Sequence, residues 1–331
     1  MYLEQRIDLL ARLGEYCLSK APAWEAARHR AHAQNGWFIP EFIEEAVKQI
    51  ATQFLQRGKL EEWAARYELA AEPEAVKTVG LIMAGNIPLV GFHDLLAIFV
   101  SGHRQLIKPS GRDEALVRHL VGQLVEMDER VAGRIGFADR LNGCDAYIAT
   151  GSNNSARYFD YYFGKYPNLI RRNRTSVSIL TGEESPEELA ALADDVNLYF
   201  GLGCRNVTQI AVPAGYDFLP LLEAFGKYQF LSDLTKYKHN YDYQLTLLIL
   251  NKKYYMTNGS ILLTEDASPF SPISVLHYVY YRPGEAPPAP EASDEIQCIV
   301  GRGHVPFGRA QQPGLADYAD GVDTMEFLKR L

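Results

Sequence analysis

The sequence predicts an α/β protein with a helical N-terminal region and a mostly parallel sheet. Two observations carry that prediction. Apolar residues recur at helical spacing up to about residue 72. From Val76 onward, short apolar runs alternate with helical patterns, which is the signature of βαβ units.

The elements follow in order. Ile7, Leu10, Leu13 and Cys17 form one helical stripe, and Phe42, Ile43, Val47, Ile50 and Phe54 form another. Pro40 stands at a first helical position for the second. Glu72-Pro73-Glu74 marks a hinge. Strands are expected over 76–83, 105–108, 146–150 and 176–180, and a helix over 113–127 with Asp113 near its N-cap. Ser185-Pro186-Glu187-Glu188 reads as a helix start with a capping box, and that helix runs to about Tyr199. Further strands are expected over 207–212, 243–250, 261–264, 275–281 and 296–300. Residues 283–290 (PGEAPPAP) form a proline-rich loop.

The 331 residues suffice for two domains with substantial cores. A net charge of -8 and the lack of a long basic run exclude nucleic acid as a partner, since phosphate contacts need clustered Lys and Arg. No run approaches the roughly 18 uninterrupted apolar residues of a membrane span. The charged N-terminus does not resemble a secretory leader. The four cysteines (Cys17, Cys144, Cys204 and Cys298) contain no CxxC pair, so a metal site is not expected. Free thiols in a reducing cytoplasm are.

Three segments at expected strand ends could build a site. Ala84-Gly85-Asn86-Ile87-Pro88-Leu89 would point the Asn86 amide out of the sheet's carboxyl edge, where open α/β sheets bind ligands. Such an amide can donate to a developing oxyanion, or simply cap the next helix. Lys108, at the end of its strand, can reach a ribose or phosphate as a point charge, or be solvated. Thr150-Gly151-Ser152 would bring backbone and a helix N-terminus to a pyrophosphate, although it is not a GxGxxG fingerprint. A fourth segment, Gly201-Leu202-Gly203-Cys204, sets a thiol behind two glycines. A lone cysteine is usually an inert filler, but a Gly-X-Gly turn favours close ligand approach. Cys17, Cys144 and Cys298 read as structural, as do His93 and His103.

Taken together, these segments resemble the aldehyde dehydrogenase superfamily, and within it the acyl-CoA reductase branch typified by the fatty acyl reductase of bacterial luciferase systems. Asn86-Ile87-Pro88 is similar to the family's Asn-Phe-Pro, and Lys108-Pro109-Ser110 to its Lys-Pro-Ser. Gly151-Ser152 is similar to the Gly-Ser that opens its cofactor helix. Gly203-Cys204 falls where the nucleophile belongs, and Val305-Pro306-Phe307-Gly308-Arg309 resembles Pro-Phe-Gly-Gly. The resemblance spans roughly residues 76 to 331. It implies an aldehyde dehydrogenase-like fold: a Rossmann-type cofactor domain over 73–181, a catalytic thiol domain over 182–305, a C-terminal segment over 306–331, and a helical segment over 1–72 packed on the cofactor domain.

The resemblance further implies Cys204 as nucleophile, Asn86 and the Cys204 N–H as oxyanion donors, and Lys108, Ser110, Gly151 and Ser152 at the cofactor. Three departures shape the expectation. Arg171 falls at the offset of the acid that activates water in hydrolytic relatives, so hydride reduction or thiol exchange is favoured over hydrolysis. On that offset, Arg171→Glu is expected to raise hydrolysis. Gly111 replaces the acid that follows Lys-Pro-Ser, which points to NADPH, with NADH as the alternative. Ser268-Pro269-Phe270-Ser271-Pro272 replaces Glu-X-Phe-Gly-Pro, so the ribose-binding Glu is missing, although Glu265 and Asp266 lie near. The expected activity is reduction of an acyl-CoA to an aldehyde by a cytoplasmic homo-oligomer, a dimer by analogy with relatives. Acyl-phosphate reduction and non-redox acyl transfer remain alternatives. A silent scaffold, with aromatic segments 227–230 and 237–243 as a partner patch, is a third.

Overall fold

A computed structural model of the chain describes residues 1–282 and 294–331. The expected proline-rich loop at 283–290 lies outside the described residues. The chain divides into two compact units, one of Met1–Asn173 with Pro313–Leu331 and one of Arg174–Gln312.

The first unit begins with four helices: α1 (Leu3–Cys17), α2 (Pro22–Gln34), α3 (Pro40–Gln49) and α4 (Arg57–Arg66). Prolines occupy the first turns of α2 and α3, where a missing N–H costs nothing. The α1 stripe is buried as the periodicity predicts, and burial pushes the Cys17 thiol up to about 12. A sheet follows: β1 (Thr78–Ile82), β2 (Arg104–Lys108), β3 (Ile135–Phe137), β4 (Ala146–Thr150) and β5 (Asn168–Arg171). Helices α5 (Phe92–Ser101), α6 (Glu114–Met127) and α7 (Asn153–Phe163) make the crossovers. The strands are parallel in the order β3-β2-β1-β4-β5. Val79, Leu81, Ile107 and Ile148 are fully buried, as expected of a sheet covered on both faces.

The returning C-terminus ends in α11 (Thr324–Lys329), which places Met325 and Leu328 in the same core. The two histidines read as structural are bound to this segment's backbone. His93 Nε2 lies 3.0 Å from Leu315 O, and His103 Nε2 lies 3.0 Å from Leu328 O.

The second unit holds β6 (Thr175–Ile179), α8 (Pro186–Asn197), β7 (Val207–Pro213), α9 (Leu219–Ala224), α10 (Thr235–Leu250), β8 (Met256–Thr257), β9 (Leu262–Glu265), β10 (Val275–Tyr281) and β11 (Ile296–Val300). Its sheet runs β11-β6-β7-β10-β9-β8, parallel except for β8. The capping box at Ser185 forms as expected: Glu188 N donates to Ser185 Oγ and Ser185 N to Glu188 Oε2.

One element differs in kind. The strand expected over 243–250 is the second half of helix α10. Its β-branched and aromatic residues suggested a strand. However, the buried positions are Tyr237, Tyr241 and Leu248, spaced by four and seven on one helical face. Thr246 Oγ1 and Asn240 Nδ2 each bond a carbonyl four residues back, so these residues sit in the helix with their polar groups satisfied.

The aromatic segments named as a partner patch are largely packed inward. Tyr228 donates to Asp194 Oδ1 at 2.6 Å, Tyr237 to Ser260 O at 2.9 Å, and only Phe230 and Tyr243 among their large rings are exposed. No helix among the described residues is long and apolar enough to cross a membrane.

Candidate active site

The first-unit strand order reverses direction between β1 and β4. One crossover path leads outward through β2 and β3, the other through β5. Ligands of open α/β sheets bind outside the carboxyl ends at this switch point. The two segments chosen from sequence leave the sheet there, Gly85-Asn86 after β1 and Gly151-Ser152 after β4.

The Asn86 turn is held from below by Asp113. This residue takes the N-cap position of α6 but makes no side-chain cap bond. Its carboxylate instead accepts from Leu89 N at 2.7 Å, where the chain turns through φ +56°. Asp113 is buried, and burial raises its pKa well above the usual carboxylate range against the pull of that N–H.

Gly85 faces Ser110. A Cβ on Gly85 would lie 2.5 Å from Ser110 Oγ, so only glycine lets the two loops pack. Ser110 Oγ accepts from Arg112 N at 3.3 Å. Lys108 is exposed at the end of β2, and no hydrogen bond or ion pair holds its ammonium among the described residues. At the other loop, a Cβ on Gly151 would meet Ser155 Cβ and Phe159 Cε2 at 2.9 Å. The Ser152 hydroxyl is spent as the N-cap of α7, accepting from Ser155 N at 3.3 Å. What Ser152 offers a ligand is therefore the helix start it organises rather than a spare hydroxyl.

Cys204 lies in the second unit, half-buried, between α8 and β7. After α8 the backbone turns through positive φ at Tyr199 (55°), Phe200 (58°) and Gly201 (73°). Two successive non-glycine residues in this region carry strain that their surroundings must offset. Asn206, fully buried, is the group that closes the turn. Its Oδ1 accepts from Gly203 N at 2.8 Å, and its Nδ2 donates to Asp195 O at 3.0 Å and Leu198 O at 2.8 Å. Cys204 O accepts from Ser176 Oγ at 3.0 Å, and the same hydroxyl lies 3.1 Å from Cys298 Sγ. Burial raises the Cys298 thiol, in keeping with a structural role.

Beneath the loop, buried Asp195 ties α8 to the segment resembling Pro-Phe-Gly. Its carboxylate accepts from Gly308 N at 2.6 Å and Ala310 N at 3.0 Å. Burial nevertheless raises its pKa to about 7, those two N–H groups opposing the shift. Sequence reading missed Asn206, Asp195 and Asp113. The signal for Asn206 was its place directly before a strand and three residues after Gly203, where a polar side chain can only turn back on the loop.

The expectation for Arg171 is corrected. Its guanidinium is buried within the first unit, where it donates to Asp94 Oδ1 at 2.6 Å, Thr324 Oγ1 at 2.8 Å and Ala319 O at 2.7 Å. It is a clamp between β5, α5 and the C-terminal segment, and sequence offset alone could not reveal that. At the altered ribose segment, Ser268 O accepts from Gln209 Nε2 at 3.1 Å and lies 2.8 Å from His277 Nδ1. Asp266 is engaged with Ser268 N and Lys253, whereas Glu265 is exposed at the end of β9.

This pair of sheets is the fold of the aldehyde dehydrogenases. The likeness is seen with aldehyde dehydrogenase 21 of Physcomitrella patens, solved with its reaction product succinate, at TM-score 0.66 and 13% identity over 86% of this chain and 69% of that one. It is seen again with an NAD-dependent aldehyde dehydrogenase of Sinorhizobium meliloti (TM-score 0.63, 14% identity, 86% and 66% of the two chains). A Mycobacterium tuberculosis aldehyde dehydrogenase complexed with NAD+ gives TM-score 0.60 at 14% identity, covering 86% and 69%. The chain thus spans about two thirds of the length of these enzymes. No family model and no curated protein matches the sequence.

Proposed function

We propose that this chain is an acyl-CoA reductase that uses NADPH and an acyl-cysteine intermediate. The observation that carries the reading is the seating of Cys204. A thiol stands on a strained turn locked by Asn206, in a chain whose other unit has a dinucleotide-type switch point. A filler cysteine needs no such turn.

In the proposed reaction the Cys204 thiolate adds to the thioester carbonyl. The carbon–sulfur bond to CoA then breaks, and CoA leaves as a thiol after taking up a proton. The Cys204 N–H is the proposed oxyanion donor beside the thiol. The residues at the first-unit switch point fit a dinucleotide: a lysine exposed at a strand end, two glycines at loop bottoms and a helix start capped by serine. Lys108 would hold a ribose or phosphate there, and Gly151 with the first turn of α7 the pyrophosphate. NADPH would supply the hydride that converts the enzyme thioester to aldehyde and frees Cys204.

Mass spectrometry of the protein mixed with acyl-CoA tests the reading. Acylation of one thiol, lost in Cys204→Ala together with NADPH oxidation and aldehyde formation, is expected. A Cys204→Ala protein that reduces acyl-CoA at the normal rate would overturn it. Running acyl phosphates beside acyl-CoAs separates the two donor classes.

A further inference from the structure

We propose that the outer face of helix α10, with the turn that follows it, is a docking surface for an anionic lipid bilayer, so that the protein binds membranes peripherally. The inference stands apart from the readings of Cys204 and of the nucleotide site.

Helix α10 is apolar on two sides. Tyr237, Tyr241 and Leu248 face inward, the last two against Leu262 and Val275. Tyr243, Leu247 and Leu250 recur at spacings of four and three, which sets a second stripe roughly opposite the first. A helix apolar on both sides is ordinarily covered on both. Here Tyr243 is 61% exposed and Leu250 72%. Ile249 is 55% exposed beside them, and Tyr254 is 72% exposed just past the turn at Lys252, where φ is +52°.

Charge selects the occupant. Residues 235–254 carry Lys236, Lys238, Lys252 and Lys253 against one acid, Asp242, in a chain of net charge -8. Lys238 is bonded to Asp242. Of the two acids at the end of β9, Asp266 is paired with Lys253 at 3.5 Å and Glu265 is exposed; with both counted, the excess is still positive. Leucine and isoleucine between two tyrosines, edged by lysines, suit a lipid interface. The aliphatic groups enter the acyl region, the phenol hydroxyls stay at headgroup level, and the ammonium groups reach lipid phosphates. The four exposed residues offer on the order of 600 Å², below the about 800 Å² per partner of a stable protein–protein interface, whereas a bilayer needs no complementary partner surface. A second copy of the chain would set the same lysine excess against itself. The place in the unit also fits. Tyr254 O accepts from Thr264 Oγ1 at 3.2 Å near the carboxyl end of β9, whereas Cys204 precedes β7, at the amino end of these parallel strands. Docking through the end of α10 leaves the thiol's edge of the sheet uncovered.

Flotation of the full-length protein with vesicles of phosphatidylcholine alone, and of phosphatidylcholine with about 30% phosphatidylserine, tests this without any turnover. Wild type should partition about tenfold or more strongly onto the anionic vesicles, and that advantage should shrink as salt is raised from about 0.1 to about 0.5 M. Leu250→Gln should weaken partitioning about tenfold on both vesicle types, through lost insertion. Lys252→Glu should weaken it about as much on the anionic vesicles alone. Both positions are exposed, so thermal midpoints should stay unchanged. No partitioning of wild type onto anionic vesicles, or partitioning that neither variant alters, overturns the proposal. So does a wild-type dimer, seen by sedimentation equilibrium without lipid, that Leu250→Gln dissociates, because the stripe then belongs to a second copy.

Discussion

Arg171 and Asp94 form a buried ion pair at 2.6 Å, with both side chains at most one tenth exposed. Asp94 comes from α5 and Arg171 from the end of β5, so the pair joins two elements whose bonded residues are 77 apart in sequence. Removing one partner of such a pair leaves the other charged and dry, which costs about 3–5 kcal/mol. Arg171→Ala should therefore lower the denaturation midpoint sharply. Arg171→Glu should do so further, because it would set two carboxylates together. Neither should raise thioester hydrolysis in whatever folded fraction remains. Urea titration followed by circular dichroism, with a hydrolysis assay on the same samples, separates the outcomes. A stable Arg171→Glu protein that hydrolyses acyl-CoA would show that the side chain is not clamped as described.

The contact of Gly85 with Ser110 makes a reciprocal prediction. Gly85→Ala would place a methyl 2.5 Å from Ser110 Oγ and 2.6 Å from Ser110 Cβ. Overpacking of this kind costs roughly 1–3 kcal/mol. Ser110→Gly removes both clashing atoms, so the double variant should recover most of the loss, whereas Ser110→Gly alone should be nearly neutral. Thermal midpoints of the four proteins in the cycle check this, and additivity of the two changes would contradict it.

Asn206→Ala should strip the Cys204 loop of its internal lock. The variant leaves Gly203 N and the carbonyls of Asp195 and Leu198 without their buried partner. Each such orphan costs about 1–3 kcal/mol where water cannot reach it. Stability should fall, and alkylation of Cys204 by iodoacetamide should change rate relative to Cys17, which burial keeps unreactive. Asn206→Asp keeps the acceptor for Gly203 N but points a negative charge at the two carbonyl oxygens. It should therefore not rescue. Peptide mapping of alkylated protein provides the measurement.

Asp195 gives a pH prediction. Its pKa is raised from the ordinary 3.8 to about 7 by burial, so the folded state holds this proton more tightly than the unfolded chain. The contribution to stability is complete below about pH 3.8 and is lost as pH rises through about 7, at up to roughly 1.4 kcal/mol per unit of pKa difference. Asp195→Asn carries no such linkage. The stability of wild type relative to Asp195→Asn should thus decline between pH 4 and 7 and level off above. A flat difference across that window would show that the carboxylate stays ionised throughout.

The sheets were legible because their strands are short apolar runs, and eight of the nine runs read as strands from sequence lie where strands form. Helix α10 was not, because tyrosine and β-branched residues suit either state until burial chooses a face. At the site, the loops bearing Asn86, Lys108, Gly151 and Cys204 were visible as glycine and proline punctuation at strand ends. Their supports were hidden. Asp113 reads as an ordinary helix cap, and only the fold carries its carboxylate to Leu89. Asn206 and Asp195 act through backbone atoms, which leave no trace in the identity of the residues they hold. Arg171 misled for the same reason: an offset from a motif says nothing of which side chain stands opposite.

The return of Pro313–Leu331 to the first unit has a consequence for biosynthesis. The second unit is an insertion, made before residues 313–331, whereas the first cannot acquire the aromatic and aliphatic residues of its closing helix until that later segment has been synthesised. A nascent chain therefore passes through a stage in which one half is complete and the other waits with a gap in its interior. Removal of residues 324–331 should injure the part of the protein made first.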